Sequence, residues 1–278
     1  MLWLPLAISF VVALPIVPAA VRWLRQRGLV RENYRGAQVP FPAGVGLLAA
    51  AAIALVPLGL IEGLADEAVF AGNAPELFLY VIGVAALGLL DDLAGGGAGD
   101  EGPRGWRGHA GAVLAGGFST GAVKALGSLG LALFVLAGAG LDAGEYLLAV
   151  ALLVLTTNLF NLLDLRPGRS IKALVLLGAG LTIGTWDVQP LKALGLFLGP
   201  ILVLAPLDLR ERGMLGDTGS NAIGAVAGLW LVLSLGTTGQ LVALAVVSAI
   251  TVYGEFRSIS AFVEKAPLLR QLDSLGRS

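Results

Sequence analysis

Long apolar runs follow one another along this chain with only short polar interruptions, and no other feature restricts its fold as strongly. A run of about 17–25 apolar residues is long enough to cross a bilayer core as a helix. About nine are legible: Leu2–Val21, Pro40–Leu60, Leu77–Leu90, Val123–Gly138, Tyr146–Leu163, Ile171–Thr185, Leu191–Leu207, Asn221–Leu235 and Leu241–Tyr253. Lipid offers the backbone no hydrogen-bond partners, so such runs must satisfy their own peptide groups as helices. Only 13% of the residues are charged, against about 25% in soluble domains. The expected fold is therefore an all-α, polytopic membrane helix bundle of about nine transmembrane helices, a single embedded domain over residues 1–254. Forty glycines suit close contact between helices in such a bundle. The first run lacks a basic leader and a clear small-residue cleavage site, so it reads as a retained helix rather than a signal peptide.

Orientation follows from Lys and Arg. Alternating spans put seventeen of the eighteen basic residues on one side, from Arg22, Arg25, Arg27, Arg31 and Arg35 in the first loop to Arg257, Lys265, Arg270 and Arg277 near the end. Only Lys192 falls opposite, with Glu62, Asp66, Glu67, Glu76, Asp142 and Asp187. The basic side is expected to be cytoplasmic, which puts the N-terminus outside, the C-terminus inside, and the protein in the cell membrane as a multi-pass chain. Residues 255–278 carry Ile259, Phe262, Val263, Leu269, Leu272 and Leu275 at roughly helical spacing among charges. They read as an interfacial amphipathic tail in the cytoplasm, with partner binding as the alternative.

Cysteine is absent and His109 is the single histidine, which excludes disulfides, thiolate chemistry and a multi-histidine metal centre. Without a basic domain interleaved with aromatics, a nucleic-acid partner is not expected. Three acidic motifs instead gather on the basic side. Asp91-Asp92 closes the third run, Asn158-x-x-Asn161-x-x-Asp164 closes the fifth, and Gly216-Asp217-Thr218-Gly219-Ser220 precedes the eighth. On a helix, Asn158, Asn161 and Asp164 share about a third of the circumference, a costly face to bury in lipid unless it meets a polar cavity or ligand. Adjacent carboxylates resist joint ionisation unless a cation or donor stabilises them. The glycine-flanked Asp217, running into a helix N-terminus, suits Mg²⁺ with phosphate oxygens near the backbone N–H groups. Each motif alone also has a plainer reading, as a frayed polar helix end, a helix cap or topology boundary, or an N-cap turn; all three on one face are much harder to assign to chance. Oxygen donors without His or Cys favour Mg²⁺ or Mn²⁺ over zinc. Arg104, Arg107, Lys124, Arg210 and Arg212 lie on the same side, although most of the basic residues also serve topology. Carboxylates, a hard cation and basic groups are the components of phosphoryl transfer. Charged helix ends also occur in transporters, but these acids lie at the boundary rather than mid-membrane, and no inverted repeat is visible.

From Asn33 to about Gly228 the chain resembles the polyprenyl-phosphate N-acetylhexosamine-1-phosphate transferase superfamily. That family includes the phospho-N-acetylmuramoyl-pentapeptide transferase of peptidoglycan synthesis and the undecaprenyl-phosphate N-acetylglucosamine-1-phosphate transferases. The likeness lies in Asn33-Tyr-Arg-Gly, Val39-Pro40 and Gly44, in the Asp91-Asp92 and Asn158/Asn161/Asp164 motifs, and above all in Met214-Leu-Gly-Asp217-Thr-Gly-Ser. The resemblance implies Mg²⁺-dependent transfer of a sugar-1-phosphate from a UDP-activated N-acetylhexosamine to polyprenyl phosphate, with release of UMP, in cell-envelope glycopolymer synthesis. It implies Asp217 as a metal ligand with Asp164 beside it, and Asp91 and Asp92 at the lipid phosphate. It further implies Asn158, Asn161, Arg212, Lys124 and Arg107 as substrate contacts, Lys124, Arg107 and His109 being candidates for a family lysine that follows the Asp pair. Its partners would be UDP-sugar, polyprenyl (undecaprenyl) phosphate and membrane lipid, with a homodimer among the candidate assemblies. The departures are also specific. The stretch Asp164-Leu-Arg-Pro167-Gly168 lacks the second acid usual in relatives, and the histidine-rich loop and the family's last helix have no counterpart. These departures motivate an alternative expectation: a catalytically weak relative that binds polyprenyl phosphate or an envelope partner.

Overall fold

The computed structural model describes residues 1–65, 68–94 and 120–277. Arg104, Arg107 and His109 therefore lie outside the described residues, as do Asp66 and Glu67. Twelve helices are described: α1 Leu4–Gln26, α2 Gly44–Ala65, α3 Ala74–Ala94, α4 Thr120–Leu136, α5 Ala143–Leu163, α6 Arg169–Thr185, α7 Gln189–Ala193, α8 Gly195–Leu209, α9 Gly216–Ser234, α10 Thr237–Phe256, α11 Ile259–Lys265 and α12 Pro267–Ser274. Five of them, α1, α2, α3, α5 and α10, are long and apolar enough to cross a membrane, while α4 and α8 are shorter apolar helices.

Each apolar run read from the sequence contains a helix, but the ends move. The run at Leu191–Leu207 divides into the short α7 and the longer α8, and α10 continues to Phe256, past the boundary expected at residue 254. The first loop also holds strands where none was expected. Val30–Glu32 (β1) and Gln38–Pro40 (β2) pair antiparallel, Val30 opposite Pro40. Their turn is closed by Asn33, whose side-chain oxygen accepts from the N–H groups of Arg35 and Ala37, both at 2.9 Å.

Trp3 caps the start of α1 and Trp23 lies in its last turn, both about half exposed. Twenty residues of helix separate them, about 30 Å, which is the thickness of a hydrocarbon core with an aromatic ring at each interface.

The bundle is built around α9. Every residue from Thr218 to Leu231 is buried, with α2, α3, α5 and α6 packed against the helix. Because protein packs around α9, the helix can carry the polar Thr218, Ser220 and Asn221 inside, and these first turns make it less apolar than the five long spans. Glycine makes the close approach workable. A Cβ on Gly44 of α2 would stand 2.3 Å from the Gly219 nitrogen, and one on Gly88 of α3 would stand 2.3 Å from the Asp217 carbonyl oxygen. Around this centre α1 packs on α2 and α8, α4 on α3 and α5, and α10 on α5. In α10 only Val247 and Thr251 are buried, so most of that helix surface is left for lipid.

The α9 N-terminus, the C-terminal ends of α3 and α5 and the start of α4 meet at one end of the bundle. The β-hairpin docks there too. Asn33 Nδ2 donates to Glu211 Oε2 at 2.6 Å and the Tyr34 hydroxyl to Glu211 Oε1 at 3.1 Å. Residues 40–44 then run alongside 214–215, with Met214 N–H donating to Pro40 at 2.9 Å and Ala43 N–H to Met214 at 2.7 Å. The segment entering α2 thereby holds the loop that leads into α9.

Candidate functional site

The site begins at the first turn of α9. A helix N-terminus leaves its first N–H groups without intrahelical partners, and here the acceptor comes from another helix. Asp92, near the end of α3, accepts from Asp217 N–H on Oδ1 at 2.9 Å and from Thr218 N–H on Oδ2 at 2.8 Å. The Thr218 hydroxyl donates to the same Oδ2 at 2.6 Å. Both Asp92 oxygens are thus committed to capping α9. Gly216, at φ +70°, makes the geometry attainable, since a Cβ there would lie 2.6 Å from Pro42 Cβ and 2.7 Å from Asp92 Oδ2.

One residue earlier, Asp91 lies on a different face and has a different environment. The Lys124 ammonium, from the first turns of α4, donates to Asp91 Oδ2 at 3.1 Å and also to Asp217 Oδ2. The Asn161 amide completes the group. In the orientation that satisfies every neighbour, its oxygen accepts from Lys124 Nζ at 2.8 Å, while its nitrogen faces Asp217 Oδ1 at 3.0 Å and Ser220 Oγ at 3.1 Å. An ammonium has three donors, and Asp91, Asp217 and Asn161 occupy all of them. Four helices, α3, α4, α5 and α9, each contribute one of these side chains.

Asp164 falls just past α5 and caps its last turn, its N–H donating to the Asn161 carbonyl at 3.2 Å. The helix stops there because Pro167 and the left-handed Gly168, at φ +73°, follow. Burial first, then the charges of Asp208, Asp217 and Asp92, push the Asp164 carboxyl well above the usual carboxylate range. Its side chain has no hydrogen-bond partner among the described residues.

The structure brings together Asp91, Asp92, Lys124, Asn161, Asp164 and Asp217 from the residues singled out in the sequence. It does not bring in two others. Asn158, one turn before Asn161 on α5, is exposed and has no hydrogen bond to the described residues. Arg212 is exposed on the loop after α8, with no ion pair among the described residues. Arg107 lies outside the described residues.

Asp208 was not anticipated. It is 3% exposed and accepts from the Gly168 N–H on Oδ2 at 2.6 Å, tying the loop after Asp164 to the end of α8. Its one sequence signal is a lone acid within the apolar stretch Leu204–Leu209, a position where burial demands a partner.

Among the described residues no three His, Cys, Asp or Glu side chains converge closely enough to cage a metal by themselves. Mg²⁺, however, is commonly held by one or two carboxylates together with substrate phosphates. Asp217, with the Asn161 amide against it and Asp164 among the neighbouring carboxylates, fits that donor set. No family model matches the chain, and none of the curated proteins matches it.

Proposed function

We propose that the protein is a membrane-embedded phosphoglycosyl transferase. It moves a sugar-1-phosphate from a UDP-activated N-acetylhexosamine to polyprenyl phosphate, releases UMP, and serves cell-envelope glycopolymer synthesis. The observation that carries this reading is the convergence of Asp91, Asn161 and Asp217, from three separate motifs, on the Lys124 ammonium. The motifs' resemblance to the polyprenyl-phosphate N-acetylhexosamine-1-phosphate transferases supplies the substrate classes.

In this reading nine helices cross the cell membrane, with the N-terminus outside and the site at the cytoplasmic face. The support is the basic loops at the site's end of the bundle, since Lys and Arg are retained on the cytoplasmic side. An oxygen of the lipid phosphate bonds to the phosphorus bearing the sugar, the bond from that phosphorus to the UMP oxygen breaks, and UMP leaves with the electron pair. Asp91 accepts the lipid phosphate's proton and orients its oxygen. Lys124 exchanges one of its three contacts for a phosphate oxygen and donates to it as charge moves toward the leaving group. Asn161 holds Lys124 and Asp217 in register, and Asn158 and Arg212, both exposed, are free to meet the nucleotide. Asp217, with Asp164 beside it, would hold Mg²⁺ or Mn²⁺, which when bound neutralises the diphosphate and polarises the attacked phosphorus. Asp92, expected alongside Asp91 at the lipid phosphate, acts instead by aiming the Asp217 turn.

A second reading is favoured by one feature: Lys124 already bridges Asp91 and Asp217 and so occupies the place a cation would take, which suits a chain that binds polyprenyl phosphate or an envelope partner without turning it over. The deciding experiment measures UMP release from UDP-sugars in detergent, with undecaprenyl phosphate and Mg²⁺, beside the Asp217→Asn variant. Release that needs lipid and metal and disappears in the variant supports the transferase. Lipid-phosphate binding without release from any donor supports the second reading.

A further inference from the structure

The tail does not lie free along the interface. Asp273 of α12 is gripped by two arginine forks: Arg169 donates from Nε to Oδ1 at 2.9 Å and from Nη2 to Oδ2 at 3.0 Å, and Arg277 from Nη2 to Oδ1 at 2.8 Å and from Nη1 to Oδ2 at 2.9 Å. Around this centre Lys172 Nζ donates to the Asp273 carbonyl at 2.6 Å, Arg169 Nη1 to Ser260 Oγ at 3.1 Å, and Arg277 Nε to the Pro167 carbonyl at 3.0 Å. The Arg169 side chain is 8% exposed and those of Asp273 and Arg277 13%. Two parallel N–H···O bonds to a carboxylate give directional strength, and it is largely retained where water is excluded.

Every one of these anchors on the body of the protein falls within residues 167–172. That stretch joins Asp164 to the first turn of α6. From its other side Asp208 holds the Gly168 N–H, and a Cβ on Gly168 would stand 2.2 Å from Leu209 Cδ2, so the loop is wedged between α8 and the tail. Asp164 has no side-chain hydrogen bond of its own among the described residues, and it sits among the carboxylates of Asp92, Asp208 and Asp217. Its position is therefore set through its backbone, on one side by the last turn of α5, where its N–H meets the Asn161 carbonyl, and on the other by the loop that follows.

We infer that Asp273 is a positioning residue for Asp164: through Arg169 the tail clamps the 164–172 loop and completes the site. The activity arm of the test rests on the transferase reading; the other arms do not. The variants are Asp273→Asn, which keeps the volume and removes the charge, and Asp273→Glu, which keeps the carboxylate. Three readouts are compared with the parent chain: amide hydrogen exchange over 164–172, Mn²⁺ binding followed by electron paramagnetic resonance, and UMP-release kinetics. Loss of an outer partner typically lowers metal affinity or activity about 10–100-fold. Asp273→Asn is expected to speed exchange of the loop amides, weaken Mn²⁺ binding by at least about tenfold and lower kcat by a similar factor with KM nearly unchanged. Asp273→Glu is expected to recover most of each. Unchanged loop exchange overturns the inference. So does a loosened loop with parental Mn²⁺ affinity, or a rise in kcat, which would make the tail inhibitory. If the parent chain releases no UMP while the exchange and Mn²⁺ responses appear as expected, the transferase reading fails and the positioning role stands.

Discussion

Asp91 and Asp92 are chemically identical neighbours, and the structure assigns them opposite costs of substitution. In Asp92→Asn the amide keeps one oxygen for the Thr218 N–H and hydroxyl but turns its NH₂ toward the Asp217 N–H, donor against donor. Leaving that buried N–H without an acceptor costs about 1–3 kcal/mol. Removing an anion from the positive end of α9 adds about 0.3–1 kcal/mol. The sum, roughly 1.3–4 kcal/mol, corresponds to a fall in Tm of about 3–16 °C for a chain of this size class. Asp91→Asn differs because Lys124 retains Asp217 and Asn161, and the repulsion between two carboxylates is relieved. Its stability is expected to stay within about 1 kcal/mol of the parent, in keeping with a partly exposed ion pair, while turnover is lost. Thermal unfolding of both variants in one detergent, followed by tryptophan fluorescence, makes the comparison, with UMP release measured on the same samples. Equal melting temperatures, or a larger fall in Asp91→Asn, would refute the division of roles between capping and chemistry.

Other consequences are as direct. Gly88→Ala forces a Cβ to 2.3 Å from the Asp217 carbonyl and 2.8 Å from Asn221 Nδ2; separating α3 from α9 should cost about 1–3 kcal/mol and weaken Mn²⁺ binding, and a parental melt with parental affinity would contradict the close approach. Lys124→Met removes the ammonium that lies between Asp91 and Asp217, so Mn²⁺ should bind more tightly while turnover falls; weaker binding would show that lysine and metal do not compete. Chelation with EDTA should stop UMP release and added Mg²⁺ or Mn²⁺ restore it, and release that persists in EDTA would remove the metal from the mechanism. Partial burial alone would raise the Asp273 carboxyl, but the guanidinium groups of Arg169 and Arg277 outweigh it and hold the group below the usual carboxylate range. A depressed pKa contributes stability that is present above the unfolded value, about 3.9, and is lost only as pH falls through the folded one. A fluorophore on a cysteine introduced at Ser274 should therefore report a docked tail at every pH above roughly 4 and release only at lower pH still, once the docked carboxyl itself is protonated; release near neutrality would exclude the arginine forks as the holding contact.

The apolar runs are properties of segments, and segments are legible one at a time. Hydrocarbon rewards any helix of sufficient length whatever its neighbours, so the helical bundle and the acidic motifs at its basic end follow from the sequence alone. Lys124, Asn161, Asp91 and Asp217 could likewise be picked out, because polar side chains at the ends of apolar helices need partners. The partners themselves belong to the tertiary structure. Only the packing of α3 against α9, made close by Gly88 and Gly44, shows that Asp92 caps a helix while Asp91 faces Lys124. Only the fold turns Asn158 away from the cluster and brings Asp208 to Gly168. Arg169 and Asp273 are 104 residues apart and belong to no common motif; their meeting depends on where α6 and α12 come to rest. Hydrophobicity acts over each segment's own length, whereas a hydrogen bond forms only between the groups that packing places at about 3 Å, and that distance is decided by the whole chain.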